Sequence, residues 1–195
     1  WYEKNKRDMP WRKTKDPYCI WVSEVMLQQT QVDTVIPYYN RFIMKFPTVK
    51  ALAEASKEEV YKYWEGLGYY RRADYLHKGA KMIIDQYDGV FPNSVNEIEK
   101  IPSIGSYTLG AIMSIAFNYP MPAVDGNVMR ILSRQFLIEE DISKPKSKKT
   151  FENKVMTLMG NNPSEFNQAL MELGALICTP KNPKCMVCPI QEICM

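Results

Sequence analysis

Ile101-Pro102-Ser103-Ile104-Gly105-Ser106-Tyr107-Thr108-Leu109-Gly110-Ala111 joins two stretches of helical periodicity through a tight turn. Pro102 cannot continue an incoming helix, because it lacks an amide hydrogen and its ring meets the preceding turn. Gly105 is free to take the positive φ of a sharp reversal. Ser106 stands where a helix N-cap belongs, and the helix behind it presents amide hydrogens that the helix itself leaves unsatisfied. Such amides form a site for a phosphate, and Ile104, Gly105 and Ser106 are the residues that would meet it. On spacing alone the segment also fits an ordinary helical corner.

Outward from this turn the chain reads as helix almost throughout. Apolar residues recur at helical spacing in 18–29, 31–46, 57–65, 71–87, 106–118, 126–137, 150–159 and 164–177. Asp16-Pro17 opens the first of these, Phe46-Pro47 closes the second, and Asp88-Gly89 ends the run to Tyr87. Strand-like alternation and fixed-period repeats are absent. Ser143-Lys144-Pro145-Lys146-Ser147 reads as an exposed loop whose composition also suits a phosphate.

The 195 residues are 46% hydrophobic and 24% charged, the balance of a globular chain long enough to bury a core. No stretch approaches the roughly eighteen apolar residues that a membrane helix needs. No signal peptide is visible, and a start at Trp1 reads as a cut chain; the expected location is cytoplasmic, nucleoid-associated in a bacterium. A net charge of +3 does not by itself demand nucleic acid. Its distribution is more pointed: Lys4, Lys6, Arg7, Arg12, Lys13 and Lys15 form one basic run, Lys144, Lys146, Lys148 and Lys149 a second, and Arg71-Arg72 a pair. Each suits a solvated face, and together they suit a surface for a phosphate backbone.

Four of the five cysteines fall in the last eighteen residues, as C-x6-C-x2-C-x5-C over Cys178, Cys185, Cys188 and Cys194. The clustering argues for a metal or cluster site over a disulfide framework. The single histidine, His77, is far away, so the spacing gives a four-thiolate site and leaves zinc and iron–sulfur both open. Cys19 lies outside the pattern and reads as a small buried residue.

An aspartate, Asp125, follows the hairpin by about twenty residues, a linkage that resembles the helix-hairpin-helix DNA glycosylase superfamily. Longer words narrow the resemblance. Ser23-Glu24-Val25-Met26-Leu27-Gln28-Gln29-Thr30-Gln31-Val32, Gly66-Leu67-Gly68-Tyr69-Tyr70 and Val124-Asp125-Gly126-Asn127-Val128 closely resemble MutY-type adenine DNA glycosylases. Phe166-Asn167-Gln168-Ala169 through Gly174-Ala175 is similar too, and the likeness runs from Pro10-Trp11 to Cys194.

That resemblance implies an all-α fold of two lobes with the active site in the cleft between them. One would be a six-helix bundle with the helix-hairpin-helix, residues 17–121; the other, residues 1–16 and 122–195, would carry Asp125 and the cluster loop 178–194. It implies one 4Fe–4S cluster on Cys178, Cys185, Cys188 and Cys194. It implies a monomer acting on double-stranded DNA with A:8-oxoguanine or A:G mispairs; members of that family usually continue, past the counterpart of Cys194, into a second domain that reads 8-oxoguanine. Glu24 would protonate the adenine and then help activate water, Asp125 would stabilise the sugar cation, and Asn127 would orient that carboxylate. Trp11, Arg12, Leu27 and Val32 would line the base pocket, while Gln29 and Tyr69 would wedge into the stack that the flipped base leaves. Tyr107 occupies the place where bifunctional relatives such as endonuclease III carry a nucleophilic lysine; a phenol forms no imine, so strand cleavage is not expected. Thymine mismatch glycosylases share the tyrosine but are expected to lack Glu24.

The residues suit that chemistry independently. A departing base needs a proton and the sugar's oxocarbenium character needs an anion, so two carboxylates in unlike settings are required. Glu24 lies in the apolar run Ile20–Leu27, where burial is expected to keep it protonated. Asp125 precedes Gly126 at a helix start, where amides and the helix dipole favour its anion; the same place suits a plain helix cap. The rival readings are a thymine or oxidised-pyrimidine glycosylase of the same fold, and a non-catalytic iron–sulfur DNA-binding module.

Overall fold

The computed structural model of the chain describes residues 1–142 and 144–195. Its helices are α1 (Tyr2–Asn5), α2 (Pro17–Leu27), α3 (Val32–Lys45), α4 (Val49–Glu54), α5 (Lys57–Trp64), α6 (Arg71–Tyr87), α7 (Val95–Ile98), α8 (Ser106–Phe117), α9 (Gly126–Phe136), α10 (Pro145–Leu158) and α11 (Pro163–Leu176). Single 3-10 turns cover Pro10–Lys13, Cys185–Val187 and Gln191–Ile193. The fold is all-α, with no strand among the described residues. No helix among them is long and apolar enough to cross a membrane.

The segment expected to be a loop at 143–147 is instead a helix start from Pro145, whose fixed φ and missing amide suit the first helical position. Ser143 lies outside the described residues.

The chain forms two compact units: Asp8–Phe117, and Trp1–Arg7 with Asn118–Met195. The first division falls at 7/8 where the sequence suggests 16/17, because the turn Pro10–Lys13 packs on α2, and the second at 117/118 where it suggests 121/122.

In the first unit α2 is the axle. A helix apolar on all sides must be buried on all sides, and Ile20, Trp21, Val22, Val25 and Met26 are at most 2% exposed. It packs against α8, α3, α6 and the Pro10–Lys13 turn. Asp16 caps it by accepting the Tyr18 amide at 2.9 Å. Gly79 of α6 is required there, since a Cβ would come within 2.8 Å of the Trp21 ring.

The second unit packs α9 against α10 and α11, and α1 against α11. Val124, Val128, Leu132, Phe151 and Val155 form one core cluster. Ile131, Leu173 and Ile177 form another, against which Cys178, Cys188 and Ile190 pack. Arg7 ties the N-terminal segment to α11 through a forked pair with the buried Glu172, at 2.9 and 3.0 Å.

Candidate active-site residues and the cysteine loop

Glu24 sits on the buried length of α2 and is 5% exposed. Around the same helix lie three of the residues expected to line a base pocket. Trp11, in the 3-10 turn against α2, is buried and meets the Tyr39 ring edge-on at 5.3 Å. Leu27 ends α2 and is half-buried, and Arg12 follows Trp11, half-buried as well. Val32, at the start of α3, is also half-buried.

Gln29 and Tyr69 are both exposed, and both have left-handed backbone, φ 56° and 49°. A non-glycine residue takes this conformation only where its surroundings impose it. Two turns of the same unit thus present a strained tip carrying the side chain expected to enter a base stack. The pair Arg71-Arg72 divides: Arg71 is exposed, but Arg72 is 8% exposed and cannot belong to a phosphate-binding surface.

The hairpin between α7 and α8 corrects two readings. The positive φ belongs to Ser103, at 76°, and not to Gly105. Trp21 Nε1 donates to the Ser103 hydroxyl at 2.9 Å, anchoring the strained residue to α2. The first helical bond of α8 runs from the Leu109 amide to the Gly105 carbonyl at 2.9 Å, so Gly105 holds the N-cap position and Ser106 begins the helix. Gly105 and Ser106 are exposed, Ile104 and Tyr107 half-exposed, and a Cβ on Gly105 would meet open space. The segment therefore places exposed Gly105 and Ser106 at a helix N-terminus, the form of site that accepts a phosphate.

In the other unit Asp125 is the N-cap of α9. One carboxylate oxygen accepts the Val128 amide at 2.8 Å and the other accepts Asn127 Nδ2 at 2.8 Å. It is both helix cap and candidate anion, since those two donors leave acceptor positions on a half-exposed carboxylate. Behind it stands a residue the sequence reading missed. Arg130 donates to Asn127 Oδ1 at 2.8 Å, to the Gly174 carbonyl at 2.9 Å and to the Cys178 carbonyl at 2.7 Å. Asp125 is thus linked through Asn127 and Arg130 to the start of the cysteine loop. Gly174 allows the approach: a Cβ there would stand 2.6 Å from that of Asn127. No local feature of the sequence marks Arg130, and α9 carries another arginine at 134 for a different task.

Arg134 donates to Cys178 Sγ at 3.3 Å and to the Thr179 carbonyl at 2.8 Å. Its charge opposes burial and the neighbouring cysteines, which push the Cys194 thiol up. Cys178, Cys185, Cys188 and Cys194 line one pocket with Ile131, Ile177 and Ile190. Four thiols around an apolar-floored pocket are the donor set of an iron–sulfur core, and these four are the residues that could hold it. Lys181 and Lys184 are exposed on the same loop.

The chain resembles DNA repair proteins along most of its length. A family model described as HhH-GPD superfamily base excision DNA repair protein matches residues 22–157. One described as the iron-sulfur binding domain of endonuclease III matches residues 178–194. An adenine DNA glycosylase of Rattus norvegicus is 45% identical over 204 residues, covering 100% of this chain and 40% of the relative. Another, of Buchnera aphidicola (subsp. Acyrthosiphon pisum), is 41% identical over 197 residues, covering 100% of this chain and 56% of that protein. The chain thus spans about half the length of these relatives or less. Among solved structures, a thermostable thymine-DNA glycosylase superposes with a TM-score of 0.90 at 30% identity, covering 99% of this chain and 89% of that one. The C-terminal loop carries one 4Fe–4S cluster.

Proposed function

The chain belongs to the HhH-GPD superfamily of base excision DNA repair proteins, and from this we propose that it is a monofunctional adenine DNA glycosylase. Its substrate is adenine opposite 8-oxoguanine or guanine in double-stranded DNA, which it engages as a monomer, on nucleoid DNA in the cytoplasm of a bacterium. The observation that carries the reading is the enclosed carboxyl of Glu24 on α2, 5% exposed. Burial penalises a carboxylate's charge, so a carboxyl in such a place is suited to hold a proton and deliver it. Adenine offers a basic ring nitrogen, N7, to receive it; thymine offers none. An enclosed acid therefore favours a purine substrate, although a thymine-DNA glycosylase is close in fold.

Glu24 protonates the flipped adenine, the C1′–N9 bond breaks, and the electron pair leaves with the base. Asp125, held in place by Val128 and Asn127, offers its carboxylate to the positive sugar that remains. Water then adds to the sugar carbon as Glu24 takes up its proton, which restores the acid. Gln29 and Tyr69 fill the gap in the stack, and the turn at Ile104–Ser106 receives a phosphate of the strand. The cluster, held by Cys178, Cys185, Cys188 and Cys194, supplies a rigid cross-link and a redox couple when bound.

Single-turnover base release on A:8-oxoguanine, A:G and T:G duplexes tests the reading. Adenine release is expected from the first two, with Glu24→Gln slower by about 10²–10⁴-fold and duplex binding kept within a few-fold. Thymine release from T:G, or near-normal adenine release by Glu24→Gln, overturns it.

A further inference from the structure

Arg72 is one buried guanidinium facing six oxygens. Nη1 donates to the carbonyls of Val25 at 3.2 Å, Met26 at 2.7 Å and Gln28. Nη2 donates to Thr30 Oγ1 at 3.2 Å and to the carbonyls of Leu67 at 3.3 Å and Gly68 at 3.2 Å. The cation lies 5.4 Å from the Trp64 ring and 5.3 Å from the Tyr69 ring. Trp64 Nε1 also donates to the Gly68 carbonyl at 2.9 Å.

These acceptors belong to three pieces of backbone. Val25 and Met26 follow Glu24 in the last turns of α2, where helical carbonyls have no partners within the helix. Gln28 and Thr30 flank Gln29, and Leu67 and Gly68 precede Tyr69. Both tips are left-handed non-glycine residues, which would relax if released. No single neutral side chain could satisfy so many carbonyls from separate segments; the planar fork of arginine can, and a lysine could not.

We propose that Arg72 is a positioning residue for base extrusion, clasping the turns of Gln29 and Tyr69 to each other and to the end of the helix that carries Glu24. The inference rests on Gln29 and Tyr69 acting as wedges. A wedge pair must be stiff before it meets DNA, because ordering it on contact would consume the binding energy that unstacking requires. The clasp also gives the wedges and the proton donor one frame, so a base pushed out by the first arrives at the second.

The test compares the cluster-loaded chain with Arg72→Lys, and with Thr30→Val, which removes one acceptor and spares the cation. Adenine in an A:G pair must be extruded, whereas adenine opposite an abasic gap is already loosely held. Arg72→Lys is expected to slow single-turnover release from A:G by about tenfold or more while leaving release from the gapped duplex within a few-fold. Thr30→Val should move the same way by less. An equal loss on both duplexes, or none on either, overturns the proposal. If the unaltered chain releases no base from any duplex, the glycosylase reading fails, and hydrogen exchange decides the clasp separately. Amides of 28–30 and 67–70 are then expected to exchange faster in Arg72→Lys, and unchanged protection overturns it.

Discussion

Tyr107 stands on the first turn of α8, one residue past the exposed backbone that faces a phosphate in our reading. Borohydride trapping requires an imine, and an imine requires an amine at the sugar carbon. The unaltered chain should therefore give little covalent protein–DNA complex on an abasic product, whereas Tyr107→Lys should give a trapped band on denaturing gels. Efficient trapping by the unaltered chain would show that another lysine reaches the sugar. The candidate site could be named at this scale because its words are local: Glu24 within an apolar run, Asp125 before Gly126, cysteines at fixed spacing. What escaped depends on distant partners. Gly105 looks like the residue for positive φ, but Ser103 takes it, because Trp21, 82 residues away in the chain, holds its hydroxyl. Arg72 looks like half of a surface pair, and only the fold brings six oxygens around it. Arg130 likewise gains its meaning from Gly174 and Cys178, which the sequence places more than forty residues off.

Helices long enough to show their period were readable, and each of the eight periodic segments overlaps one, although 150–159 misses the first turn of α10. Short ones were not. α4 has six residues, too few for a stripe, and its one local sign is Thr48, whose hydroxyl accepts the Ala51 amide at 3.1 Å. The packing of α4 on α6 nevertheless sets a pH dependence, through His77. This imidazole is 5% exposed, and its Nε2 is buried without a hydrogen-bond partner. Burial, then the charge of Lys81, hold its pKa below 6.5, against opposing bonds to the backbone at Ala55 and Ala53. A base whose folded pKa is depressed takes up a proton more readily when unfolded, so stability falls with pH from the unfolded value down to the lowered one. The melting temperature is expected to drop as the pH is lowered through and below the free imidazole's value of about 6.5, and less steeply in His77→Gln, which cannot titrate. Parallel slopes for the two proteins would mean that His77 is protonated in the native state or is not the group responsible.

At the scale of the molecule, the question is what a chain of this span can recognise. It covers 40% of one curated relative's length and 56% of another's, yet it holds the candidate acid, the candidate anion, the hairpin and the cysteine loop. In our reading these are the parts that base release requires. Discrimination of the opposite base is a different quantity, a difference between two affinities. In our proposal it falls to Gln29 and Tyr69, exposed on preset turns, which would touch the opposite strand from inside the stack. If the extra length of the relatives adds contacts to 8-oxoguanine, each hydrogen bond left unmade here costs about 1–3 kcal/mol of that preference, or roughly five- to 150-fold in a rate ratio. The chain should then release adenine from A:8-oxoguanine and from A:G at rates closer together than those of a full-length relative. Its product DNA should also dissociate faster. Single-turnover rates and dissociation constants on both duplexes, at one fixed salt concentration because phosphate contacts make binding steeply salt-dependent, measure this directly. A preference equal to that of the longer protein would place the reading of the lesion within this chain, and Gln29→Ala should then abolish it.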